Sequence, residues 1–414
     1  MTLERSVERA GGITLRQLRL FEAIGDVKSV RKASEECGLS QPAVTQALAK
    51  LEEQVGAILV DRSAYGSYLN EAGTIFHARV KRFFDQTDAA VIASGGAATA
   101  MSARPIVNRL TRSQLRTLIA TIEHGSFETA AEALSISTAS LQRSARDLEG
   151  NLRVPLFYRT ALGLLVSPLG TRFGRQMKLA LQEVEWGVEE IDAARGGASR
   201  PIVIGAMPFG GSVLLDAALD DFLQMHPRAD VRILSDSAAV MARSLRAGDV
   251  DLVIGLLPEM DTEELASEAL AETPYSVAVR RGHPLIANPS VTMDDLAACD
   301  WVIGNEGSSR RRCFERMFEG RRRPQAPIAT CSSPVIRQLL ERSNRVTLMT
   351  SYELMYADGR LRELAVEPLG QAPSIGITMR ASWLPTRLHA DFIDLVRGHV
   401  RDMTAARPRL RAVS

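Results

Sequence analysis

The chain repeats itself at a spacing of 97 residues, and this repeat constrains the fold more than any other feature of the sequence. Over about sixty positions, adding 97 to a residue number leads to the same or a similar residue without a gap. Leu51-Glu52 meets Leu148-Glu149, for example, and Gly73 meets Gly170. Two unrelated helical segments would drift out of register. The repeat therefore predicts a tandem duplication, with one structural unit at each copy.

The first copy contains a helix-turn-helix pattern. From Val44 to Val55 the apolar residues recur at the spacing of one buried helix face. Ser40 stands at the N-cap position, and Pro42 falls in the first turn, where its missing N–H is tolerated. A short helix that begins at Ser29 and a tight turn come before this helix, whose other face is polar and suits base edges and phosphates. A small helical bundle with a solvated face is the alternative.

Each copy shows the same order of elements: an opening helix, the two helices of the motif, a two-stranded wing and a longer helix. In the second long helix the apolar residues from Met177 to Ile191 step by four and three, which favours pairing with another helix. A stripe buried against its own domain is the alternative. The predicted ranges are 14–73 for the first winged helix-turn-helix, 74–93 for its linker helix, 94–110 for a flexible linker, 111–170 for the second winged helix-turn-helix and 171–195 for its linker helix.

From Arg200 onward, short apolar strands alternate with helices. This alternation is typical of a parallel sheet covered on both faces. The pattern starts again at Tyr275, and a strand near 375–379 with the helix after it returns to the first sheet. We therefore expect a multidomain chain in which two all-α winged helix-turn-helix domains precede a two-lobed α/β domain. Its predicted ranges are 201–403 for the domain, about 201–264 with 372–403 for lobe 1, and about 265–371 for lobe 2.

Composition excludes several classes of protein. The 414 residues carry a net charge of +1, so any nucleic-acid surface must be local. The four cysteines have no CxxC spacing, which argues against a disulfide framework or a zinc site. No apolar run is long enough to span a membrane, and the N-terminus has no secretory pattern. We expect a cytoplasmic protein without membrane contact, metal or cofactor.

The motifs resemble those of LysR-type transcriptional regulators. Residues 29–34, 39–44 and 70–73 carry the resemblance in the first copy, and residues 125–131 and 154–160 carry it in the second. The resemblance covers about 14–403, but the family normally has one helix-turn-helix per chain. It implies a DNA-binding regulator whose effector domain is similar to periplasmic solute-binding proteins, with double-stranded DNA and a small molecule as partners, assembled as a homo-oligomer. A weaker likeness points to the branch that regulates galactose-binding-protein genes.

The two copies differ in charge. Residues 1–88 contain twelve basic and twelve acidic residues, whereas residues 104–175 contain ten basic and five acidic ones. The second copy should therefore hold DNA phosphates more firmly. Arg143 can contact either guanine or a phosphate, and the wing arginines Arg62 and Arg159 match the family's phosphate or minor-groove arginine. The predicted DNA-binding residues are Ser40, Gln41, Pro42, Thr45, Gln46, Lys50, Arg62, Ser137, Thr138, Ser140, Gln142, Arg143, Arg146 and Arg159.

The family resemblance also suggests how the copies are held together. Family members bind DNA as dimers whose linker helices pair antiparallel, and here one chain owns two such helices. Antiparallel pairing would place the end of the first, near Ala93, beside the start of the second, near Pro168, and residues 94–110 could span up to roughly 50 Å. The hypothesis is an internal pseudo-dimer that reads a two-part site with non-identical halves. The rival is that one copy is degenerate and only aids assembly.

Polar segments follow the predicted strands of the two-lobed domain. The segment 207–212 opens a helix whose N-terminal N–H groups suit an anion or polar ligand. The serines after other strands are ordinary helix caps in the alternative interpretation. Together the segments predict a small polar metabolite, an organic acid or a sugar, that alters DNA binding by population shift. The predicted effector-binding residues are Met207, Pro208, Phe209, Ser212, Ser235, Ser237, Asn305, Ser332 and Ser333.

Other functions fit the sequence less well. There is no P-loop, GxSxG or HExxH motif, and the six histidines are scattered, so no catalytic residue is predicted. A solute-binding protein would account only for the C-terminal half, and an enzyme on the two-lobed fold stays an alternative. A redox switch at Cys313 and Cys331 lacks helpful spacing.

Overall fold

The structure, a computed structural model, divides into two compact units, Met1–Arg200 and Pro201–Ser414. Each unit is described by itself. The described residues are 9–63, 66–160, 163–197, 200–207, 211–258, 262–355, 357, 359–366, 369–406 and 411–412.

The first unit is built mainly from helices and contains the same set of elements twice. The elements of the first set are α1 (Leu15–Val27), α2 (Val30–Glu36), α3 (Gln41–Val55), β1 (Val60–Ser63), β2 (Gly66–Leu69) and α4 (Glu71–Ala93). A short helix, α5 (Ala100–Val107), connects the sets. The elements of the second set are α6 (Arg112–His124), α7 (Phe127–Ala133), α8 (Thr138–Leu152), β3 (Phe157–Thr160), β4 (Gly163–Val166) and α9 (Pro168–Ala194).

Contacts that hold each set together recur at the spacing of the sequence repeat. Both strand pairs are antiparallel hairpins, and their registers coincide after the shift of 97 residues. Glu52 accepts hydrogen bonds from the N–H groups of Leu59 and Val60, and Glu149 accepts the matching pair in the second set. Each glutamate therefore ties the end of a motif helix to the start of a hairpin, which explains why the repeat retains it.

The two long helices pack against each other antiparallel within one chain. Along α4, Arg79 contacts Glu183 and Glu190 of α9, and Gln86, two turns further on, contacts Glu183. Residues later in α4 thus contact residues earlier in α9, as they do in an antiparallel pair. One hydrophobic core runs through both sets. The predicted pairing of these helices inside a single chain is confirmed. At the end of α4, Gly96 lies against the carbonyl oxygen of Leu152, close to the second set as expected.

The connection between the sets differs from the expected flexible linker over 94–110. Residues 100–107 form α5, which is capped by Thr99 and buries Ala103 and Val107. Arg104 on this helix pairs with Glu22 at 3.0 Å and with Asp88 at 3.4 Å. The small residues of the linker allow close packing against α4, and the ion pairs anchor it. A composition rich in glycine and alanine was therefore a misleading sign of flexibility here.

The second unit contains three sheets with helices around them. Its first elements are β5 (Ile202–Ala206), α10 (Gly211–Met225), β6 (Val231–Ser235), α11 (Ala238–Ala247), β7 (Leu252–Leu256), β8 (Leu265–Glu272), β9 (Tyr275–Arg280), α12 (Met293–Ala297), β10 (Val302–Ile303) and α13 (Ser309–Met317). The remaining elements are β11 (Ile328–Ala329), α14 (Ser333–Glu341), β12 (Thr347–Thr350), α15 (Ser351–Met355), β13 (Leu361–Glu363), β14 (Ser374–Arg380), α16 (Arg387–Ala406) and β15 (Arg411–Ala412).

The sheet of lobe 1 is mixed rather than parallel, and lobe 2 has an antiparallel three-stranded sheet and a separate parallel two-stranded sheet. The first has the order β15-β8-β14-β7-β5-β6, with β6, β5 and β7 parallel and β14 antiparallel to β7. In the second lobe, β9 is antiparallel to β12 and β13, while β10 and β11 are parallel. Strand β8 pairs with β14 along its length, so 265–272 belong to lobe 1. The predicted lobe boundary at 264/265 is wrong for this reason, and lobe 2 begins near Tyr275.

Candidate nucleic-acid interface and ligand cleft

Helix α3 presents the predicted polar face to solvent. Its apolar residues Val44, Leu48 and Leu51 are buried in the core of the unit. The opposite side is open: Gln41, Pro42, Gln46 and Lys50 are exposed, and Thr45 is half-buried. Ser40 occupies the N-cap position but makes no side-chain cap hydrogen bond, contrary to the expected capping role. Its exposed hydroxyl adds to the polar surface instead.

Helix α8 occupies the equivalent place in the second set and is more basic. Leu141, Ala145 and Leu148 are buried, which leaves the other side of the helix in solvent. Here Ser137 does cap the helix, by accepting a hydrogen bond from the Ser140 N–H at 3.2 Å. The side chains predicted for this helix are exposed in Ser137, Ser140, Arg143 and Arg146 and half-buried in Thr138 and Gln142.

The wings place an arginine at the same register position in both hairpins. Arg62 lies opposite Ser67 in the first, and Arg159 lies opposite Leu164 in the second. The side chain of Arg159 is exposed, and that of Arg62 lies outside the described residues. Each set thus offers one polar helix face and one wing, the arrangement by which a winged helix-turn-helix enters a DNA groove. Contact between these residues and DNA stays a prediction.

In the second unit, the described effector residues fall into two groups, one at the six-stranded sheet of lobe 1 and one at the two-stranded sheet of lobe 2. Met207 follows β5 and Ser235 is the last residue of the parallel strand β6, so they share the carboxyl edge of the first sheet, and Ser237 is the N-cap of the next helix. Asn305 and Ser332 follow the parallel strands β10 and β11 in the same way. Ser333 is the first residue of α14. The structure therefore groups residues that come from different strand ends of the chain.

Both edges lie where the chain crosses between the lobes. In lobe 1, the N–H of Leu257, just after β7, bonds to the carbonyl of Ser374, where the chain re-enters the sheet. In lobe 2, the hydroxyl of Tyr275, just past the first crossing, lies 2.8 Å from the Ser309 hydroxyl at the start of α13. These contacts tie both strand edges to the crossing, and a ligand cleft between them stays a prediction.

Two of the predicted serines lack the side-chain bonds of ordinary caps. Ser237 and Ser332 stand at the N-caps of α11 and α14, are exposed, and make no side-chain cap hydrogen bond. The alternative that they serve only as caps is therefore not supported. Pro208 and Phe209 lie outside the described residues, and so does the side chain of Ser212, whose backbone belongs to α10. Their predicted role stays a prediction.

The sequence interpretation missed a buried polar cluster at the same edge of lobe 2. Arg310 donates to Glu353 at 2.6 Å, and the other carboxylate oxygen of Glu353 accepts from the N–H and hydroxyl of Thr350. Burial raises the pKa of Tyr275 to about 12, so its hydroxyl is neutral and able to donate a hydrogen bond at physiological pH. The arginine run 310–312 at the start of a helix was the one sequence signal for this cluster.

The cysteines give no support to a redox switch. All four thiols are free. Burial raises the pKa of Cys313 to about 11, so the thiol stays protonated and unreactive near neutral pH. Within the described ranges no group of His, Cys, Asp and Glu side chains could hold a metal ion. No helix among those residues is both long and apolar enough to cross a membrane.

Comparison with protein families matches almost the whole chain. The LysR substrate binding domain matches residues 195–401. The bacterial regulatory helix-turn-helix of the lysR family matches twice, at 15–74 and 113–171. Among curated proteins, the transcriptional regulator GalR of Pseudomonas putida is 29% identical over 375 residues, which is 89% of this chain and 93% of that protein. The regulator GbpR of Rhizobium radiobacter is 26% identical over 61% of this chain and 85% of its own length.

A solved structure shares the fold. Full-length LysG from Corynebacterium glutamicum, with the effector Arg bound, aligns with a TM-score of 0.53 at 18% identity. The alignment covers 70% of this chain and 97% of that one. The shared part therefore leaves nearly a third of this chain without a counterpart, about the size of one repeated set with its long helix.

Proposed function

The chain belongs to the LysR family of bacterial transcriptional regulators, and from this premise we propose that one chain carries two DNA-reading units held as an internal pair. Each unit is a winged helix-turn-helix, and the paired long helices α4 and α9 do the work that two separate chains do in a family member with one such unit. Because the two polar helix faces differ, the pair reads a two-part DNA site whose halves are not the same.

One observation carries the proposal: the antiparallel contact of α4 with α9 inside a single chain, anchored by Arg79, Glu183 and Glu190. The exposed faces of α3 and α8 then have different roles in DNA binding. Lys50 with the glutamines of α3 forms a face with little charge, whereas Arg143 and Arg146 make the face of α8 basic. The second unit supplies most of the phosphate affinity, and the first supplies base discrimination by amide groups.

The C-terminal unit binds a small polar metabolite between its lobes. Neutral hydroxyl and amide groups, Ser235, Ser237, Asn305 and Ser332, line the two strand edges. The buried Arg310–Glu353 pair leaves little net charge there. The groove therefore suits a ligand with several hydrogen-bonding groups, an organic acid or a sugar. Ligand binding shifts the population of lobe arrangements and so alters DNA binding.

Selection of binding sites from a random DNA library tests the DNA part directly. The purified full chain should select a motif with two different halves, and footprinting on a selected site should protect both. Arg143→Ala should weaken protection of one half only, and Lys50→Ala protection of the other. A palindromic motif, or a motif in which only one half is selected, would contradict the proposal and favour a degenerate copy. Titration with organic acids and sugars, read by DNA affinity, tests the ligand class.

A further inference from the structure

The interface between α4 and α9 has a buried charge cluster at its centre. The side chain of Arg79 is 1% exposed and contacts two carboxylates, Glu183 at 2.8 Å and Glu190 at 2.8 Å. Glu183 is 2% exposed and also accepts from Arg82 at 3.0 Å and from Gln86 at 3.0 Å. Trp186 lies beside the Arg79 guanidinium, 5.6 Å from its ring centroid. The cluster is complete because one helix supplies the cations and the other the carboxylates.

The repeat shows that this charge complementarity exists only when α4 pairs with α9, which we call the mixed pair, and not when two copies of the same helix pair. Adding 97 to 79 gives Gln176, and subtracting 97 from 183 and 190 gives Gln86 and Ala93. If two copies of α4 paired in the same register, Arg79 would be buried opposite Gln86 and Ala93 of the second copy. If two copies of α9 paired, both glutamates would be buried without a cation. Either arrangement leaves a buried charge uncompensated, which is strongly unfavourable.

Packing at the same place is also specific to the mixed pair. Gly187 of α9 lies where an added Cβ would come within 2.8 Å of Phe76 and 3.2 Å of Arg79 Cβ. The residue in α4 at the repeat-related position is Ala90, which has this Cβ. A second copy of α4 in the place of α9 would therefore meet Phe76 and Arg79 with a methyl group where the structure has none.

We propose that the cluster of Arg79, Glu183 and Glu190 is a partner-selection device: it makes α4 pair with α9 and reject a second copy of α4, while the connection through α5 keeps the paired α9 that of the same chain. This inference deepens the internal pair proposed above and rests on it. The device also excludes pairing with any chain that offers a neutral helix at these positions. Its test measures helix pairing in the absence of DNA, so its failure and a failure of DNA reading can be told apart.

Cross-linking between isotopically distinct chains identifies the partner of each helix. Lys81 is the one lysine of α4 and Lys178 the one lysine of α9. They lie roughly 10 Å apart along the pair axis. Full chains in normal and ¹⁵N-labelled forms are mixed, unfolded and refolded together, then treated with an amine cross-linker. For the natural chain we expect Lys81–Lys178 links within one isotope. Mixed-isotope links, including Lys81–Lys81, would overturn the proposal.

Charge exchange then tests the cluster itself. Arg79→Glu should lower the yield of Lys81–Lys178 links by roughly tenfold or more, because the introduced carboxylate faces the two carboxylates of α9. The variant Glu183→Gln with Glu190→Arg should do the same, because the introduced guanidinium faces that of Arg79. All three changes in one chain restore an opposite-charge pair and should restore same-isotope links. Arg175→Glu, an exposed reversal on α9, is the matched control and should leave the yield unchanged.

Mixing the two defective variants gives the decisive measurement. The Arg79→Glu chain and the Glu183→Gln/Glu190→Arg chain complement each other, so their mixture should give mixed-isotope Lys81–Lys178 links that neither gives alone. Absence of such links, or natural yields in the single variants, would show that the charges do not choose the partner. If a defective variant does not fold alone, the triple variant still decides: without restored same-isotope links, the proposal is wrong.

Discussion

Among single residues, Arg143 distinguishes the two DNA-reading faces most sharply. It is exposed on α8 and has no counterpart in charge on α3, where the repeat-related residue is Gln46. We expect Arg143→Ala to weaken DNA affinity by about tenfold, the effect of losing one good base or phosphate contact. Gel-shift titrations on a selected site measure it. Arg322→Ala, an exposed arginine of the other unit, serves as the control and should change nothing.

The same titrations decide between the two contacts left open for Arg143. If Arg143 binds a phosphate, the variant loses affinity for all sequences alike and the slope of log affinity against log salt falls by about 0.9. If it binds guanine, the loss is confined to sites with that base and discrimination at one position relaxes. An unchanged affinity on every sequence would contradict any role of Arg143 in DNA binding.

Asp251 predicts how the second unit responds to acid. Burial alone would raise the pKa of this carboxyl, but His389 and the Val203 N–H, which donates at 2.8 Å, hold the pKa below its ordinary value of 3.8. A carboxyl with a lowered pKa in the folded state stabilises the fold above about pH 3.8, and this contribution is lost as the pH falls through the folded-state pKa.

Asp251→Asn should therefore lower the free energy of unfolding of this unit by about 2 kcal/mol at neutral pH, through the loss of a charged hydrogen bond. The difference from the natural chain should stay constant down to about pH 3.8 and shrink below it. Urea unfolding at a series of pH values measures it. Asp402→Asn, at an exposed position, should show no such difference. A difference that grows on acidification would refute the assigned role of Asp251.

At the scale of elements, the close approach of α4 to α9 depends on Gly187. An added methyl group would lie 2.8 Å from Phe76, so Gly187→Ala overpacks the helix pair. We expect it to destabilise the first unit by about 1–3 kcal/mol. Gly150→Ala is the matched control: this glycine is also helical, on α8, and nothing lies within 4 Å of the added Cβ.

The two glycine variants should change stability in opposite directions. At an exposed helix position, alanine stabilises the folded protein relative to glycine by about 0.5–1 kcal/mol, because the chain with alanine loses less conformational freedom on folding. Thermal or urea unfolding followed by circular dichroism compares them. If Gly187→Ala proved as stable as Gly150→Ala, the helices would not be in the tight contact that the structure shows.

Local elements were predictable because their signals are local. The helix pattern that ends at Val55 became α3, the two-stranded wing predicted within 14–73 became β1 and β2, and the linker helix expected at 171–195 became α9. Contacts between distant residues were not predictable in this way. Glu183 meets Arg79 across 104 positions, and β8 joins the first sheet through pairing with β14. The hydrophobic pattern of one segment does not indicate which distant segment it contacts.

At the same scale, α5 shows why composition misled. The stretch before α5 is rich in glycine and alanine, and α5 itself contains Pro105. A proline in the second half of a short helix costs a single backbone hydrogen bond, and here the tertiary contacts of Arg104 and Arg19 outweigh that loss. Arg19 donates to the carbonyl oxygens of Val107 and Asn108 and so satisfies the end of α5. These compensations come from α1 and α4 and are invisible in the linker sequence.

For the whole molecule, the two candidate sites differ in how much of each could be predicted from the sequence. Apart from the wing arginines, the predicted DNA-binding residues lie on one helix in each set, so a helical pattern was enough to place them on one exposed face. The candidate effector site combines edges of two sheets, and Arg310 and Glu353 meet near it because α13 and α15 both start at the lobe crossing. Strand order, which the sequence does not carry, decides that meeting.

The division into two compact units leads to a prediction about the first unit alone. Residues 1–200 contain both DNA-reading sets, the paired helices and one shared core, so this fragment should fold by itself. Because α4 finds α9 in the same chain, it should sediment with the mass of one chain and bind a selected two-part site with a hyperbolic isotherm. A single-unit protein must first dimerise, which makes its binding depend steeply on protein concentration. Arg79→Glu in the fragment should shift it toward that behaviour. A natural fragment that is dimeric, or protects one half-site only, would show that the internal pair is not the DNA-reading form.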